Sequence, residues 1–202
     1  MIGIVVAAVF FGCVAVIGAE LSRALCSRVT PAEDAPPSRQ PPVTLLVVAA
    51  AALGAVLLAY HTAPLQIGAA AIVVFALVAC WCSDAICGIV PDAFTLPALG
   101  ALLLLAVVQR NWEVVWSALI PFAFFALAAL FSRGRGMGWG DVKLVAITGA
   151  ALGAPLALLA LAVACIAAVI GQRLAGGFRG PIAFAPYVAA ATGLALPFGL
   201  MR

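Results

Sequence analysis

The chain has 202 residues, of which 67% are hydrophobic and only 8% are charged. Soluble globular domains carry roughly 25% charged residues, so this composition excludes a soluble protein. The net charge of +3 is small and is scattered over polar stretches, which argues against a nucleic-acid-binding surface. We therefore predict an all-α, polytopic membrane protein with a single domain.

Apolar runs near 20 residues recur along the sequence, and each is long enough to cross a hydrocarbon core of about 30 Å as a helix. The first run has no positively charged segment before it, which is not typical of a cleaved signal peptide. The sixth run is short for a crossing. We predict eight membrane-spanning helices, over residues 2–21, 43–60, 66–83, 93–108, 112–131, 141–152, 155–171 and 181–200.

The longest polar stretch, residues 22–42, contains three arginines and five prolines, which predicts a loop outside the membrane. If the N-terminus lies outside the cell, eight of the ten Lys and Arg residues fall in cytoplasmic segments. Cytoplasmic segments of membrane proteins carry an excess of Lys and Arg, so both termini are predicted outside. These eight residues are Arg23, Arg28, Arg39, Arg133, Arg135, Lys143, Arg173 and Arg179.

A glycine-rich stretch at residues 136–144, GMGWGDVKL, leads into the sixth span and contains a GxGD match at residues 138–141. Ionisable residues inside membranes are costly and are functional candidates by default, which singles out Asp141. The alternating glycines Gly136, Gly138 and Gly140 allow backbone or substrate to approach the carboxylate closely. The alternative interpretation is a glycine-rich turn whose Asp caps the next helix.

The predicted topology puts Asp84, at the end of the third span, on the same cytoplasmic face as Asp141. Two carboxylates a few Å apart share one proton, so one can deprotonate water while the other protonates a scissile carbonyl, as in aspartic proteases. Intramembrane acids also serve as proton relays in transporters. A structural subunit of a pilus or secretion platform is a third hypothesis.

Two further charged residues lie beside these acids. Lys143 lies about 200° around a helix from Asp141, so a direct pair is not expected and Lys143 should extend to the cytoplasmic face. Asp92 precedes the fourth span and is predicted to cap it. No two of the six cysteines form a C-x-x-C pair, so we predict neither a zinc site nor a disulfide framework. Cys80 and Cys82 are interpreted as small apolar filler.

Three motifs together resemble those of type IV prepilin peptidases. Asp84 stands seven residues before Pro91, which Asp92 follows, as in the first active-site motif of that family. Residues 136–144 resemble its second motif, and residues 182–187, IAFAPY, resemble its proline-containing last-helix motif.

The resemblance implies an intramembrane aspartic peptidase, with its core in residues 66–200, that cuts the basic leader from prepilin-like precursors of type IV pili or secretion systems. It implies that Asp84 and Asp141 are the catalytic pair and that Gly138 and Gly140 shape the approach to Asp141. It also implies a bacterial cytoplasmic membrane and no metal or organic cofactor. Bifunctional relatives carry a zinc loop linked to N-methylation; residues 22–42 contain only one cysteine, Cys26, so methyltransferase activity is not expected.

Overall fold

A computed structural model of the chain describes residues 2–28, 41–60, 63–131, 138–174 and 183–200. These residues form eight helices and include no strand, which confirms the predicted all-α bundle. Helices α1, α3, α5 and α7 are each long and apolar enough to cross a membrane, and α2 and α4 are shorter apolar helices. The helices are α1 (Ile2–Cys26), α2 (Val43–Ala59), α3 (Pro64–Cys87), α4 (Asp92–Val108), α5 (Trp112–Phe131), α6 (Trp139–Leu152), α7 (Ala154–Leu174) and α8 (Ala185–Leu200).

Successive helices run in opposite directions. Gly3 at the start of α1 contacts Leu58 at the end of α2, and Gly171 near the end of α7 lies against Tyr187 near the start of α8. A cavity lined by the start of α3 and the ends of α4, α6 and α8 lies at one end of the bundle. The ends of α1 and α3 and the starts of α4, α6 and α8 therefore share the other end, which we call the aspartate end.

Helix α6 is the central element although it has only 14 residues, which span about 21 Å. It packs against α3, α4, α5, α7 and α8, and Leu144 and Ile147 are fully buried. Gly149 lies against the backbone of Ser117 in α5, where a side chain would collide with the Ser117 carbonyl. Because other helices surround α6, it does not have to cross the full thickness of the hydrocarbon core. This explains why the predicted sixth span was so short.

Helix α1 is longer than predicted. The expected loop at residues 22–42 begins inside the helix, which continues to Cys26. Ser22 is fully buried and Cys26 is 9% exposed, because this last turn packs against other helices of the bundle. Packing against protein thus extends the helix past the point where its apolar run ends.

Two other helix ends also differ from the predicted spans. Helix α3 continues beyond Ser83 to Cys87 and ends at Gly88, whose φ of 67° is in the left-handed region that favours glycine. Helix α8 begins at Ala185 rather than at Pro181. Pro186 then lies in the first turn, where its missing N–H leaves no hydrogen bond unmade.

The prediction of no disulfide was wrong in one respect. Cys26 at the end of α1 and Cys87 at the end of α3 are bonded, with Cα atoms 6.1 Å apart. They are separated by 61 residues in sequence, so the pair was invisible to a search for closely spaced cysteines. Cys80 and Cys82 are fully buried in the core, which agrees with their interpretation as filler.

We predict that thiol labelling before and after reduction will detect the disulfide. In denatured, unreduced protein a maleimide should modify the free cysteines Cys13, Cys80, Cys82 and Cys165 and leave Cys26 and Cys87 unmodified. Mass spectrometry should show two additional adducts after reduction, because one disulfide yields two thiols. A Cys26→Ser variant should expose Cys87 to the reagent without reduction, whereas Cys13→Ser should not. Six reactive thiols in the unreduced wild-type protein would contradict the pairing.

Candidate active site at the aspartate end

Asp84 lies in the last turn of α3 and is 6% exposed. Its Oδ2 accepts a hydrogen bond of 3.1 Å from the backbone N–H of Ala185, the first residue of α8. The first N–H groups of a helix have no partner within the helix, and the helix dipole favours a negative charge at this position. The start of α8 therefore compensates part of the cost of burying the Asp84 carboxylate.

Asp141 lies in the first turn of α6, three residues after the residue that precedes the helix, Gly138. The backbone N–H of Gly138 is hydrogen-bonded to its carboxylate. The other oxygen, Oδ1, is buried and has no hydrogen-bond partner among the described residues. One oxygen is thus bonded to the amide just before its own helix, as the alternative interpretation expects, and the second is buried without a partner among the described residues.

The structure brings Asp84 and Asp141 together from two helices that are distant in sequence. The two carboxylates are close enough to interact electrostatically. The thiol of Cys80, one helical turn before Asp84, interacts electrostatically with both. The buried Asp84 and the partly buried Asp141 therefore lie near each other at the aspartate end, with Cys80 beside them.

Gly140 and Pro91 position the chain around these acids. A Cβ on Gly140 would lie 2.6 Å from Val90 Cβ and 2.7 Å from the Val90 carbonyl oxygen, so only glycine allows this approach. Pro91 immediately precedes α4, and its carbonyl accepts hydrogen bonds from Phe94 and Thr95. A Cβ on Gly138 would make only an ordinary contact with Asp141, at 3.6 Å. Gly140 therefore matters for packing, and Gly138 contributes its amide.

Lys143 and Asp92 form an ion pair that joins α6 to α4, with Nζ and Oδ1 2.5 Å apart. The prediction that Asp92 precedes α4 and caps it was wrong, because Asp92 is the first residue of the helix, Pro91 precedes it, and the Asp92 carboxylate pairs with Lys143. That Lys143 extends to the cytoplasmic face remains a prediction. As expected, Lys143 forms no ion pair with Asp141. Gly136 lies outside the described residues.

The backbone N–H of Ala185 is the site component that sequence reasoning missed. The motif at residues 182–187 indicated that this segment matters, but a backbone donor has no residue-type signature. Among the described residues, no three His, Cys, Asp or Glu side chains are close enough together to hold a metal ion.

Comparisons with known proteins identify the family of the chain. The profile of the type IV leader peptidase family matches residues 70–171, a stretch that contains both aspartates. Leader peptidase HopD of Escherichia coli is 34% identical over 121 residues, which cover 54% of this chain and 78% of that protein. Prepilin leader peptidase/N-methyltransferase of Bacillus subtilis (strain 168) is 34% identical over 113 residues, which cover 52% of this chain and 44% of that protein. No solved structure matches the chain. The chain belongs to the type IV leader peptidase family.

Proposed function

We propose that this protein is an intramembrane aspartic endopeptidase that removes the basic leader from type IV prepilin-like precursors at the cytoplasmic face of the bacterial inner membrane. The observation that carries the proposal is the approach of the buried Asp84 and the partly buried Asp141 in a chain of the leader peptidase family. The printed names of the curated relatives, a leader peptidase and a prepilin leader peptidase, supply the substrate class.

The chemistry follows from two acids that share one proton. The ionised carboxylate takes a proton from water, the resulting hydroxide attacks the scissile carbonyl carbon, and the protonated carboxyl donates its proton to the carbonyl oxygen. A proton then passes to the amide nitrogen as the C–N bond breaks. The Oδ1 of Asp141, which is buried and has no hydrogen-bond partner among the described residues, supports this carboxylate as the acceptor of the water proton. The Ala185 amide keeps Asp84 in a fixed orientation.

The distribution of acids favours a peptidase over a proton-coupled transporter. A relay across the membrane needs ionisable groups at successive depths. Among the five described acids, the buried Asp84 and the partly buried Asp141 lie together at the aspartate end. The exposed Asp92 and Glu20 lie toward the same end, and Glu113 is exposed at the other. The described acids are therefore concentrated at one end of the bundle and do not follow one another across the membrane as a proton relay requires.

The cytoplasmic orientation is supported by the charges of the segments at the aspartate end. Of the five Lys and Arg residues that the structure describes, four lie at or near helix ends on this side and only Arg110 lies at the opposite end, which agrees with the positive-inside bias of a cytoplasmic face. The four are Arg23, Arg28, Lys143 and Arg173. The Cys26–Cys87 disulfide also lies here, although the cytoplasm is reducing. Both cysteines are at most 9% exposed, which restricts the access of reductants to the bond.

We also propose that the chain is a peptidase without methyltransferase activity. Zinc sites made of cysteines use C-x₂₋₄-C pairs, and residues 22–42 contain a single cysteine. The alignment covers only 44% of the relative whose name includes an N-methyltransferase.

We predict that Asp84→Asn and Asp141→Asn each abolish cleavage. Each change keeps the shape of the side chain but removes the group that carries the proton, so activity should fall at least about 10²-fold while the amount of folded protein is unchanged. The measurement is conversion of a co-expressed prepilin to its shorter form, followed by mass spectrometry. The matched control is Glu113→Gln, an exposed acid at the opposite end, which should cleave normally. Cleavage by either aspartate variant would remove the assignment, and proton flux without cleavage by the wild type would indicate a transporter.

We predict that Gly140→Ala lowers both stability and cleavage. The new methyl group would overlap the Val90 backbone, so the first turn of α6 must shift, at a cost of about 1–3 kcal/mol and of the geometry around Asp141. Gly100→Ala is the control, because a Cβ at Gly100 meets nothing within 4 Å. Thermal unfolding in detergent and cleavage rate per folded enzyme are the measurements. Equal behaviour of the two variants would show that the Gly140 contact is unimportant.

We predict the orientation of the chain from single cysteines in a cysteine-free background. Ser27→Cys, at the aspartate end, should be protected from a membrane-impermeant maleimide in intact cells. Asn111→Cys, which lies at the opposite end in an exposed turn, should be labelled. Both should be labelled after the cells are permeabilised. The reverse pattern would put the aspartates on the outer face and contradict cytoplasmic leader cleavage.

A further inference from the structure

The Asp92–Lys143 ion pair joins the starts of two helices beside the candidate catalytic acids. Asp92 is the first residue of α4, and Lys143 lies two residues after Asp141 in α6. The two residues are 51 positions apart in sequence, and their side chains are 58% and 24% exposed, respectively. The pair therefore lies at the rim of the aspartate end and not in its buried interior.

The same turn of α6 also contacts the connector between α3 and α4. This connector begins at Gly88, which ends the helix that carries Asp84, and reaches Pro91. Gly140 lies directly against Val90 in the middle of the connector. The first turn of α6 thus makes an apolar contact with the connector and an ionic contact with the residue that follows it.

These contacts oppose the repulsion that arises between the two acids whenever both are ionised. Asp84 and Asp141 are like-charged when both are ionised, which favours separation of α6 from α3. The contact between Gly140 and Val90 is non-directional and cannot by itself fix the rotation of α6. The ion pair on the same turn attracts α6 to the start of α4 and also restricts the rotation of α6.

We infer that Asp92 and Lys143 are positioning residues: their ion pair holds the first turn of α6 on the start of α4 and thereby fixes Asp141 opposite Asp84. This inference rests on the proposed peptidase function for its activity assay. Asp92 is exposed enough to be considered as a binder of the basic leader. Its carboxylate is already paired with Lys143, however, so the structure favours positioning over leader binding.

A double-mutant cycle on cleavage tests the inference. Asp92→Asn and Lys143→Met should each lower kcat about tenfold at saturating precursor, with KM unchanged. The double variant should be no slower than the slower single variant, because the second change removes a partner that has already lost its contact. Lys143→Arg should retain most of the activity. The control is the Arg23–Glu20 pair, an exposed ion pair near the end of α1, whose Glu20→Gln and Arg23→Met variants should cleave normally.

Three outcomes would overturn the inference. Additive losses in the double variant would show that the two residues act independently. A rise in KM for Asp92→Asn alone, which disappears with a precursor whose leader has no basic residues, would make Asp92 a leader-binding residue. Losses that follow the amount of folded protein, with normal kcat per folded enzyme, would reduce the pair to a stabilising contact.

A second readout does not depend on cleavage, so it separates failure of this inference from failure of the proposed function. In an Asp84→Cys/Asp141→Cys variant with the free cysteines changed to alanine, oxidation should cross-link α3 to α6. Adding Lys143→Met should lower the initial cross-linking rate several-fold, and adding Arg23→Met should not. An unchanged rate with Lys143→Met would show that the ion pair does not fix these two positions.

Discussion

The first turn of α6 packs directly on the connector between α3 and α4, and the geometry of the site depends on this contact. Gly140 permits the approach because any side chain would collide with Val90. The neighbouring residue Asp141 is thereby brought to the end of α3, where Asp84 lies. A single backbone contact thus sets the relative position of two acids that lie on separate helices.

The burial of Asp84 and the partial burial of Asp141 require compensation, and backbone N–H groups supply part of it. Ala185 at the start of α8 donates to Asp84, and Gly138 before α6 is hydrogen-bonded to Asp141. Helix starts offer unpaired donors and a favourable dipole, so they stabilise carboxylates without adding a second charge to the site. The acids therefore remain able to exchange a proton with water, which a tight ion pair with Lys or Arg would hinder.

The core around α6 explains how a 14-residue helix occupies the centre of a membrane protein. In lipid, helices associate through close packing of small residues and through hydrogen bonds between helices. Gly149 allows α5 to approach α6, and Thr148 is hydrogen-bonded to Thr192 of α8 at 3.0 Å. The longer helices shield these contacts from lipid. These contacts hold the second half of α6 between α5 and α8.

The sequence by itself determined the helical class, the number of helices and the two acids that the structure brings together. Apolar runs and their polar breaks are local properties, and so they predict helices well, although packing extended α1 to Cys26 and α3 to Cys87. The tertiary structure alone decided that Lys143 pairs with Asp92, that Cys26 is bonded to Cys87 and that the Ala185 amide binds Asp84. The two side-chain pairs join residues more than 50 positions apart, so they depend on how the helices pack. The third contact uses a backbone group that every residue except proline possesses, so no residue type could reveal it.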